Sequence, residues 1–457
     1  MLIQKGGEIY MRTEEDILHL DYKYLSSVYM IHDIDGILDN YAREANNLYN
    51  IGMYLMRQNF IKFGKILHYL ELYHLVMQKV RARENLVYRK LPYAQSANDT
   101  LMEVQGVFVY WLKALKVYRA NPSKFTGRPR MPKYLPRGKR HLFYIQTDKV
   151  KNGYLHIPRL SQFRIKLDPN LDTTKIKRVL FKPMSKGYFK VIVQYQLDQD
   201  IKYLPDNGKY IGIDPGLDNA FTVVDSTGNH RSLITNGKPV KSMNQYYNKT
   251  RVKLHSSLAK YHQNETIIQT KQGPKPIYSE SHRLIKLTLK RNQKLFDFIH
   301  KATKSIVDYT LNCGANTIVI GKNENWKRSI HLGKRINQNF IGIPHNRMIE
   351  ILKYKANLKG ITVITTSESY TSQTSFLDEE EPCKENGNYH RKLKHLSPSN
   401  RRVRRGLFQS NSGVLINADV NGAYQIIRKV FSDVKYNKFN QEIRGLVLSP
   451  SKLTIKI

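Results

Sequence analysis

The spacing of hydrophobic residues changes along the chain and predicts different elements in successive regions. Residues 31–119 place apolar side chains three and four positions apart, which is typical of long helices packed on one face. Short segments of alternating apolar and polar residues instead occupy 1–30 and 141–198. The second of these regions is interrupted by two hairpin-turn signals, Asn152–Gly153 and Lys186–Gly187. We therefore expect a β domain into which a helical block is inserted.

The second half of the chain predicts an α/β domain. Strand patterns occupy residues 210–215, 219–225, 317–320 and 361–364. Residues 241–311 predict two helices separated at Gln272–Pro276, and a further helix is expected from His345 to Leu358. Because a hairpin is followed by alternating helices and strands, we expect a mixed sheet with helices on its faces.

Charge indicates what the chain binds. The sequence holds 75 Lys and Arg against 37 Asp and Glu, a net charge of +38, with cations spread over all 457 residues. Self-repulsion at this charge favours a polyanionic partner, and nucleic acid is a simpler choice than a membrane surface. Two cysteines exclude a disulfide framework, and no apolar run reaches 18 residues, so we expect a cytoplasmic, nucleoid-associated protein.

Two clusters of cations are candidate phosphate contacts. The segment from Lys124 to Tyr134 carries two prolines and no hydrophobic period, so it reads either as an extended strap that presents cations to a phosphate backbone or as a solvated linker. Its candidate contacts are Lys124, Arg128, Arg130, Lys133 and Tyr134. The second cluster, Arg401, Arg402, Arg404 and Arg405, is interpreted as a clamp on a cleaved strand, with a solvated face as the alternative.

Two aspartates far apart in sequence predict one metal site. Asp214 ends an apolar strand and precedes a Pro-Gly turn, and Asp419 lies where the chain enters its last long helix. Phosphodiester cleavage requires stabilising a highly charged transition state, which two divalent ions held by carboxylates achieve. Mg²⁺ prefers such oxygen ligands, and we expect Mn²⁺ to substitute for it. The alternatives are a turn aspartate and a helix N-cap.

These stretches resemble the split nuclease motifs of TnpB, an RNA-guided nuclease family encoded by insertion sequences. The resemblance rests on Gly212–Asn219, Ile318–Arg328, Glu368–Asp378 and Asn417–Lys429, with Asn46–Asn50, Arg57–Phe60 and Lys124–Tyr134 in the first half. Lys327 falls in the second motif and is counted as a nucleic-acid contact. Compact type V CRISPR effectors share this ancestry.

The resemblance implies a multidomain α+β and α/β protein with two lobes. A wedge-like β-barrel would comprise residues 1–30 and 121–204 and carry a helical recognition lobe at 31–120. An RNase H-like RuvC nuclease domain would follow at 205–457, with a helical insertion at about 241–311 and a lid at about 371–413. The implied partners are a guide RNA and double-stranded target DNA with a short adjacent motif, one protein monomer per guide RNA being favoured.

The chain departs from the family pattern twice. Where many relatives carry the middle catalytic Glu after the second nuclease strand, this chain has Gly321. Glu368 follows the neighbouring strand and is predicted to replace it, because strands about 4.8 Å apart would let it reach the same metal ions; Glu324 and a purely structural Glu368 are the alternatives. The zinc knuckle of many relatives also lacks its cysteines here, so we expect a metal-free loop and no structural zinc.

These observations give one leading hypothesis, a Mg²⁺-dependent RNA-guided DNA endonuclease with Asp214, Glu368 and Asp419 as ligands. The alternatives are an RNA-guided DNA-binding repressor that has lost cleavage, motivated by Gly321, and a compact type V CRISPR effector with the same chemistry. A transposase that joins DNA ends is disfavoured, because the resemblance points to cleavage beside a separate transposase.

Overall fold

The chain divides into two compact units. The computed structural model describes residues 3–5, 8–10, 24–33, 35–145, 150–151, 153–156, 164–169, 172–184, 187–196, 201–261, 265–270, 273–278, 281–322, 342–382, 402–404, 406–434 and 441–456. Residues 1–17 and 21–200 form the first unit, and residues 18–20 and 201–457 form the second.

Four α-helices of the described residues share the core of the first unit with its strands. They are α1 (Ile37–Phe63), α2 (Tyr69–Arg81), α3 (Val87–Lys90) and α4 (Ala94–Ala120). Left-handed glycines, Gly36 and Gly64, flank α1, where a side chain would be strained. The helix buries an apolar stripe that continues the predicted three-and-four spacing, and Gly52 lets Leu101 of α4 approach closely.

The strands of the first unit form open sheets among the described residues. They are β1 (Ile3–Lys5), β2 (Glu8–Tyr10), β3 (Tyr24–His32), β4 (Phe143–Ile145), β5 (Val150–Lys151), β6 (Tyr154–His156), β7 (Arg164–Lys166), β8 (Ile176–Pro183) and β9 (Tyr188–Gln196). Strands β3, β9, β8 and β4 pair in that order, β5 to β7 form a separate three-stranded sheet, and β1 pairs with β2. The antiparallel hairpins are therefore confirmed, while no closed barrel forms within the described ranges.

The second unit is built on a six-stranded mixed sheet. Its strands are β10 (Tyr210–Asp214), β11 (Asn219–Asp225), β12 (Leu233–Asn236), β15 (Thr317–Gly321), β16 (Thr362–Thr366) and β20 (Ser451–Leu453), in the order β16-β15-β10-β11-β12-β20. Strands β10 to β12 form an antiparallel meander, and β15 and β16 run parallel to β10. The mixed α/β sheet predicted from the sequence is thus present.

Helices and smaller sheets complete this unit. The helices are α5 (Lys238–Lys260), α6 (His282–Asn312), α7 (His345–Asn357), α8 (Ala418–Arg428) and α9 (Gln441–Leu448). The additional strands are β13 (Glu265–Thr270), β14 (Gly273–Tyr278), β17 (Arg402–Arg404), β18 (Leu407–Gln409) and β19 (Leu415–Asn417). Among the described helices, none combines the length and apolar character needed to cross a bilayer.

Two expectations for this unit were incomplete. The helices predicted at 241–311 are present, but a β13–β14 hairpin separates them, whereas the sequence indicated only a Gly-Pro break. The segment predicted as a loop or lid near 371–413 contributes β17 and β18, which pair with β19 in a small antiparallel sheet. Residues 383–401 of that segment lie outside the described residues.

Helix α8 lies directly on the backbone of the central strands. A methyl group at Gly212 of β10 would contact the carbonyl oxygen of Ala423 and lie 2.6 Å from Ile427. At Gly321 of β15, a methyl group would lie 2.6 Å from Ile426. The helix therefore reaches this depth only because both strands carry glycine where it crosses them.

We predict that Gly212→Ala destabilises the protein by about 1–3 kcal/mol, since the methyl group overpacks a contact with backbone that cannot yield. Chemical denaturation followed by circular dichroism measures this change. Gly445→Ala in α9 is the matched control: its methyl group would meet nothing within 4 Å, so we expect no loss. Equal stabilities for the Gly212 variant and wild type would contradict the prediction.

Candidate functional site

Three parallel strands end at one edge of the second unit's sheet. Asp214 is the last residue of β10, Gly321 is the last of β15, and Glu368 follows the end of β16 at Thr366 by two residues. Ile213 pairs with Ile320, and Gly321 pairs with Thr366. The register therefore places Asp214 beside Gly321 and brings the loop that carries Glu368 to the same edge.

Asp419 is oriented by a neighbour and is not the helix cap. The side chain of Asn417 caps α8 by accepting hydrogen bonds from the backbone N–H groups of Asp419 (3.0 Å) and Val420 (3.3 Å). Asn219 Nδ2 donates to Asp419 Oδ2 at 2.6 Å. The N-cap alternative for Asp419 is therefore wrong, and its carboxylate points to the start of β11.

Gly422 brings α8 against the Asp214 carboxylate. A methyl group at Gly422 would lie 3.0 Å from Asp214 Oδ2 and 3.9 Å from Thr371 Oγ1. Asp419 stands three residues earlier in the same helix, so it shares this face. The structure thus brings the Asp214 side chain to the helix surface on which Asp419 lies.

Glu368 starts beside Gly321, the last residue of β15. Its Cβ lies 3.0 Å from the position that a Cβ on Gly321 would take. The hydroxyl of Thr371 donates to the Glu368 carbonyl at 2.9 Å, and that same hydroxyl lies near Gly422, as described above. The loop after β16 is therefore folded back toward Asp214 rather than away from the sheet.

Lys429 fixes the backbone on both sides of Glu368. Its Nζ donates to the carbonyl oxygen of Ser367 at 3.0 Å and to that of Ser369 at 2.6 Å. Burial raises the pKa of the Glu368 carboxyl to about 7, and the charge of Lys429 opposes this rise. Glu368 is thus a half-buried carboxyl whose pKa lies near neutral pH, and such shifted pKa values cluster at functional sites.

Asn421 attaches the segment after Glu368 to α8. Its Oδ1 accepts from the backbone N–H of Phe376 (2.9 Å), and its Nδ2 donates to the carbonyl of Thr374 (2.8 Å). Phe376 also stacks on Tyr424, with ring centroids 4.1 Å apart. These contacts fix the far end of the loop, so the Glu368 segment is held at one end by α8 and at the other by Lys429, the residue that follows α8.

The donors at this edge suit a hard divalent cation. They are carboxylate oxygens from three separate elements, at a place where glycine leaves room for Asp214 against α8. Mg²⁺ and Mn²⁺ favour such oxygen ligands, so the donor types of Asp214, Glu368 and Asp419 suit the ion that the sequence predicts, but the oxygens of these three carboxylates do not all lie within 4.8 Å of one another. The sequence did not identify Asn219, Thr371 and Lys429 as the residues that hold these carboxylates. Of the supporting residues, Asn417 is the one with a recognisable sequence signal, that of a helix N-cap.

The basic strap of the first unit is fixed to the helices. Arg57 of α1 donates to the Pro132 carbonyl at 2.6 Å, and the Trp111 indole of α4 donates to the Pro129 carbonyl at 3.2 Å. Asn50 exchanges two hydrogen bonds with the backbone of Leu135. These contacts make a flexible linker a poor description, because the strap's carbonyls are paired with side chains.

The cations of the strap face outward. Arg128, Arg130, Lys133 and Tyr134 are exposed, and Arg57 stacks over the Tyr134 ring at 5.3 Å. A cavity of about 730 Å³ lies between Trp111 and residues 126–131, and both arginines line it. Lys124 closes the short 3₁₀ turn Pro122–Lys124 that precedes the strap.

Other sequence-predicted residues are only partly placed. Arg402 and Arg404 lie in β17, which pairs with β18. Arg401, Arg405, Lys327 and the rival carboxylate Glu324 lie outside the described residues. Their predicted roles therefore stay predictions.

Two family models match the chain between residues 192 and 426. The OrfB_IS605 family, described as a probable transposase, matches residues 192–327. The Cas12f1-like TNB domain matches residues 345–426. Together these matches confirm the resemblance to the TnpB family and support a compact RNA-guided nuclease of the TnpB and Cas12f kind.

Solved structures show more distant likenesses. A Cas12f1–sgRNA–target DNA complex is 14% identical, covering 88% of this chain and 98% of the other, with a TM-score of 0.33. A CRISPR-Cas12f ternary complex is 14% identical, with coverages of 86% and 81% and a TM-score of 0.32. An AacC2c1–sgRNA binary complex is 10% identical, with coverages of 86% and 66% and a TM-score of 0.33. No curated protein matches the chain.

We predict that Glu368→Gln changes the pH dependence of stability in metal-free protein. Because folding raises this pKa from 4.5 to about 7, the wild-type carboxyl contributes fully to stability below about pH 4.5, and that contribution is lost as the pH rises through 7. Between pH 4.5 and pH 8, the free energy of unfolding of the variant should rise relative to that of wild type by up to about 3 kcal/mol.

Urea denaturation in EDTA at both pH values measures this difference. Exposed Glu381→Gln serves as the control and should follow wild type. Parallel pH profiles for wild type and Glu368→Gln would show that Glu368 is not buried as described.

Proposed function

We propose that this protein is an RNA-guided DNA endonuclease whose cleavage centre is formed by Asp214, Glu368 and Asp419. The observation that carries the proposal is the position of Glu368, whose Cβ lies 3.0 Å from where a side chain on Gly321 would begin. A carboxylate that starts there would take the place of the Glu that many relatives carry on the preceding strand. In this proposal, a neighbouring loop would supply the third carboxylate of the set that the family carries.

The strand order supports a nuclease of the RNase H-like class. The meander β12-β11-β10 followed by parallel β15 and β16 is the arrangement expected of the RuvC domain, with α5 and α6 as its helical insertion. In that class, carboxylates at the ends of the central strands and on a C-terminal helix act together. The positions of Asp214 on β10 and Asp419 on α8 agree with this scheme.

Each side chain has a role that its contacts support. Asp214, Glu368 and Asp419 would hold two Mg²⁺ ions, which supply charge neutralisation at the scissile phosphate and activation of the attacking water. Asn219 keeps the Asp419 carboxylate in one orientation through its hydrogen bond. Lys429 and Thr371 keep the Glu368 loop closed over the strand ends. Mn²⁺ should substitute, since it takes the same ligands.

The partners follow from charge and from the matched families. A net charge of +38 requires a polyanion, and two of the similar solved complexes carry sgRNA, one of them with target DNA. We propose a guide RNA and double-stranded DNA with a short adjacent motif as partners, one protein chain per guide, in a bacterial or archaeal cytoplasm. The first unit would supply the wedge and recognition lobes and use the strap as a phosphate contact.

A second function, RNA-guided DNA binding without cleavage, is favoured by one observation. Gly321 leaves β15 without the usual carboxylate, and a Glu368 held only for structure would leave the centre incomplete. A compact type V CRISPR effector would share the chemistry of the leading proposal. Sequencing the co-purifying RNA distinguishes it: a transcript covering the element end indicates the transposon setting, and repeat-spacer RNA indicates CRISPR.

We predict that the guide complex linearises target plasmid in Mg²⁺ and that Asp214→Ala or Glu368→Ala lowers the rate at least about 100-fold. Loss of an outer-shell partner costs about 10–100-fold, so Asn219→Ala should fall in that range. Glu324→Ala tests the rival carboxylate and should cleave like wild type. Cleavage by Glu368→Ala together with its loss in Glu324→Ala would reverse the assignment, and target binding without cleavage by wild type would establish the repressor.

We predict that replacing Arg128, Arg130 and Lys133 together by Ala weakens guide RNA binding and makes it less sensitive to salt. Each lost phosphate contact removes about 0.7 (single strands) to 0.9 (duplex) from the slope of log K against log salt concentration, so a reduction of about 2–3 is expected. Filter binding between about 50 and 200 mM salt measures the slope. The charge-matched control replaces exposed Lys359, Lys452 and Lys456. An equal reduction in both variants would exclude a specific contact at the strap.

A further inference from the structure

A second group of potential ligands lies away from the three carboxylates. It consists of Asp225 at the end of β11, His230 in the connection to β12, and Cys313 just after α6. One ligand atom from each side chain lies within 4.8 Å of those of the other two. Asp225 and Cys313 are buried, whereas the His230 side chain is 40% exposed. The group is therefore built into the fold but open on one side.

This group is separate from the candidate nuclease centre. In the β10–β11 register, Asp225 pairs with Ile211 and Thr222 pairs with Asp214. Three residues of strand span about 10 Å, so Asp225 lies toward the opposite end of the strand pair from Asp214. A ligand here would not share the carboxylates of the other site.

The Asp225 side chain is held in place by its own turn. Its Oδ1 accepts from the backbone N–H of Thr227 at 3.1 Å, and its Oδ2 accepts from the Thr227 hydroxyl at 2.5 Å. The ring nitrogen Nδ1 of His230 lies 2.8 Å from the same Oδ2. Gly228 has a φ of +71°, which permits the tight turn that returns His230 toward Asp225. Carboxylate and imidazole are thus brought together before any ligand arrives.

The thiol of Cys313 contributes a different type of donor to this pair. Burial and the nearby Asp225 carboxylate raise the pKa of Cys313 to about 12, so without a cation the thiol keeps its proton. A buried, protonated thiol is a poor nucleophile, which disfavours a catalytic Cys–His–Asp arrangement. A divalent cation between thiol and carboxylate would remove the electrostatic opposition between them.

We propose that Asp225, His230 and Cys313 form a binding site for a single Zn²⁺ ion. One sulfur, one nitrogen and one oxygen are the ligand types that zinc combines, whereas Mg²⁺ disfavours sulfur. On binding, the thiol proton leaves to solvent as the sulfur–zinc bond forms, the imidazole binds in its neutral form, and water takes the fourth position on the open side. The ion would tie the β11–β12 turn to the end of α6, from which the chain enters β15.

The site does not depend on the proposed cleavage function, so it is tested by metal binding alone. Full-length protein freed of metal by chelation is titrated with Co²⁺, which reports thiolate coordination through a charge-transfer absorption in the near ultraviolet. We expect about one equivalent to bind with this absorption, and added Zn²⁺ to displace it. Mg²⁺ in excess should leave the absorption unchanged.

Variants separate metal binding at this site from binding at the other cysteine and at the candidate nuclease centre. Cys313→Ser should lose the absorption, and Cys383→Ser, the matched cysteine control, should keep it. Asp214→Ala should also keep it. His230→Ala affects a half-exposed side chain and should fold, as circular dichroism would check, while its Co²⁺ affinity falls by more than about 10-fold. An absent absorption in wild type, or one that survives Cys313→Ser or is unchanged in His230→Ala, would overturn the proposal.

Discussion

The close approach of one helix to two strands is the constraint on which the second unit depends. No side chain separates α8 from β10 or β15 where it crosses them, because Gly212 and Gly321 stand at the crossing points. A side chain at either glycine would overlap atoms of α8 and force the helix away from the sheet. Since Asp419 is carried by α8 and Asp214 by β10, the separation of their carboxylates is set by this packing.

The same constraint bears on the proposal that Glu368 supplies the middle carboxylate. The space above Gly321 is filled by Ile426, 2.6 Å from where a Cβ would lie, so this chain uses the end of β15 for packing. Glu368 then starts from the adjacent loop. Lys429, the residue that follows α8, binds the carbonyls on both sides of Glu368, so the end of the helix that packs on Gly321 also holds the Glu368 loop.

Sequence patterns predicted the elements of this unit better than their contacts. Strands β10, β11, β15 and β16 and helix α7 lie within a few residues of their predicted places, because each has a clear hydrophobic period. The β13–β14 hairpin was missed because Pro274 and Pro276 indicate a break, yet a two-stranded hairpin with a free edge accepts proline where no ladder hydrogen bond is donated. The carboxylates at the ends of β10 and β16 could be proposed from strand order alone.

The supports of those carboxylates could not be predicted, because they connect residues remote in sequence. Asn219 and Asp419 are 200 residues apart, and no local pattern marks Asn219 as a partner. The Asp225–His230–Cys313 group was missed for a related reason: its cysteine stands alone in sequence, and motifs of paired cysteines are what sequence reasoning recognises. Both cases require the fold before the side chains can be associated.

The burial of Glu368 links stability to the chemistry proposed for this edge. A carboxyl whose pKa is raised to about 7 by burial disfavours its charged form in the metal-free protein. Lys429 offsets part of this cost, but its ammonium group is engaged by two carbonyl oxygens and so keeps the loop closed rather than only neutralising the acid. A bound cation would relieve the remaining cost. Metal binding at this site would therefore relieve part of the desolvation cost of the ionised Glu368 carboxylate. A carboxylate exposed to water has no such cost to relieve.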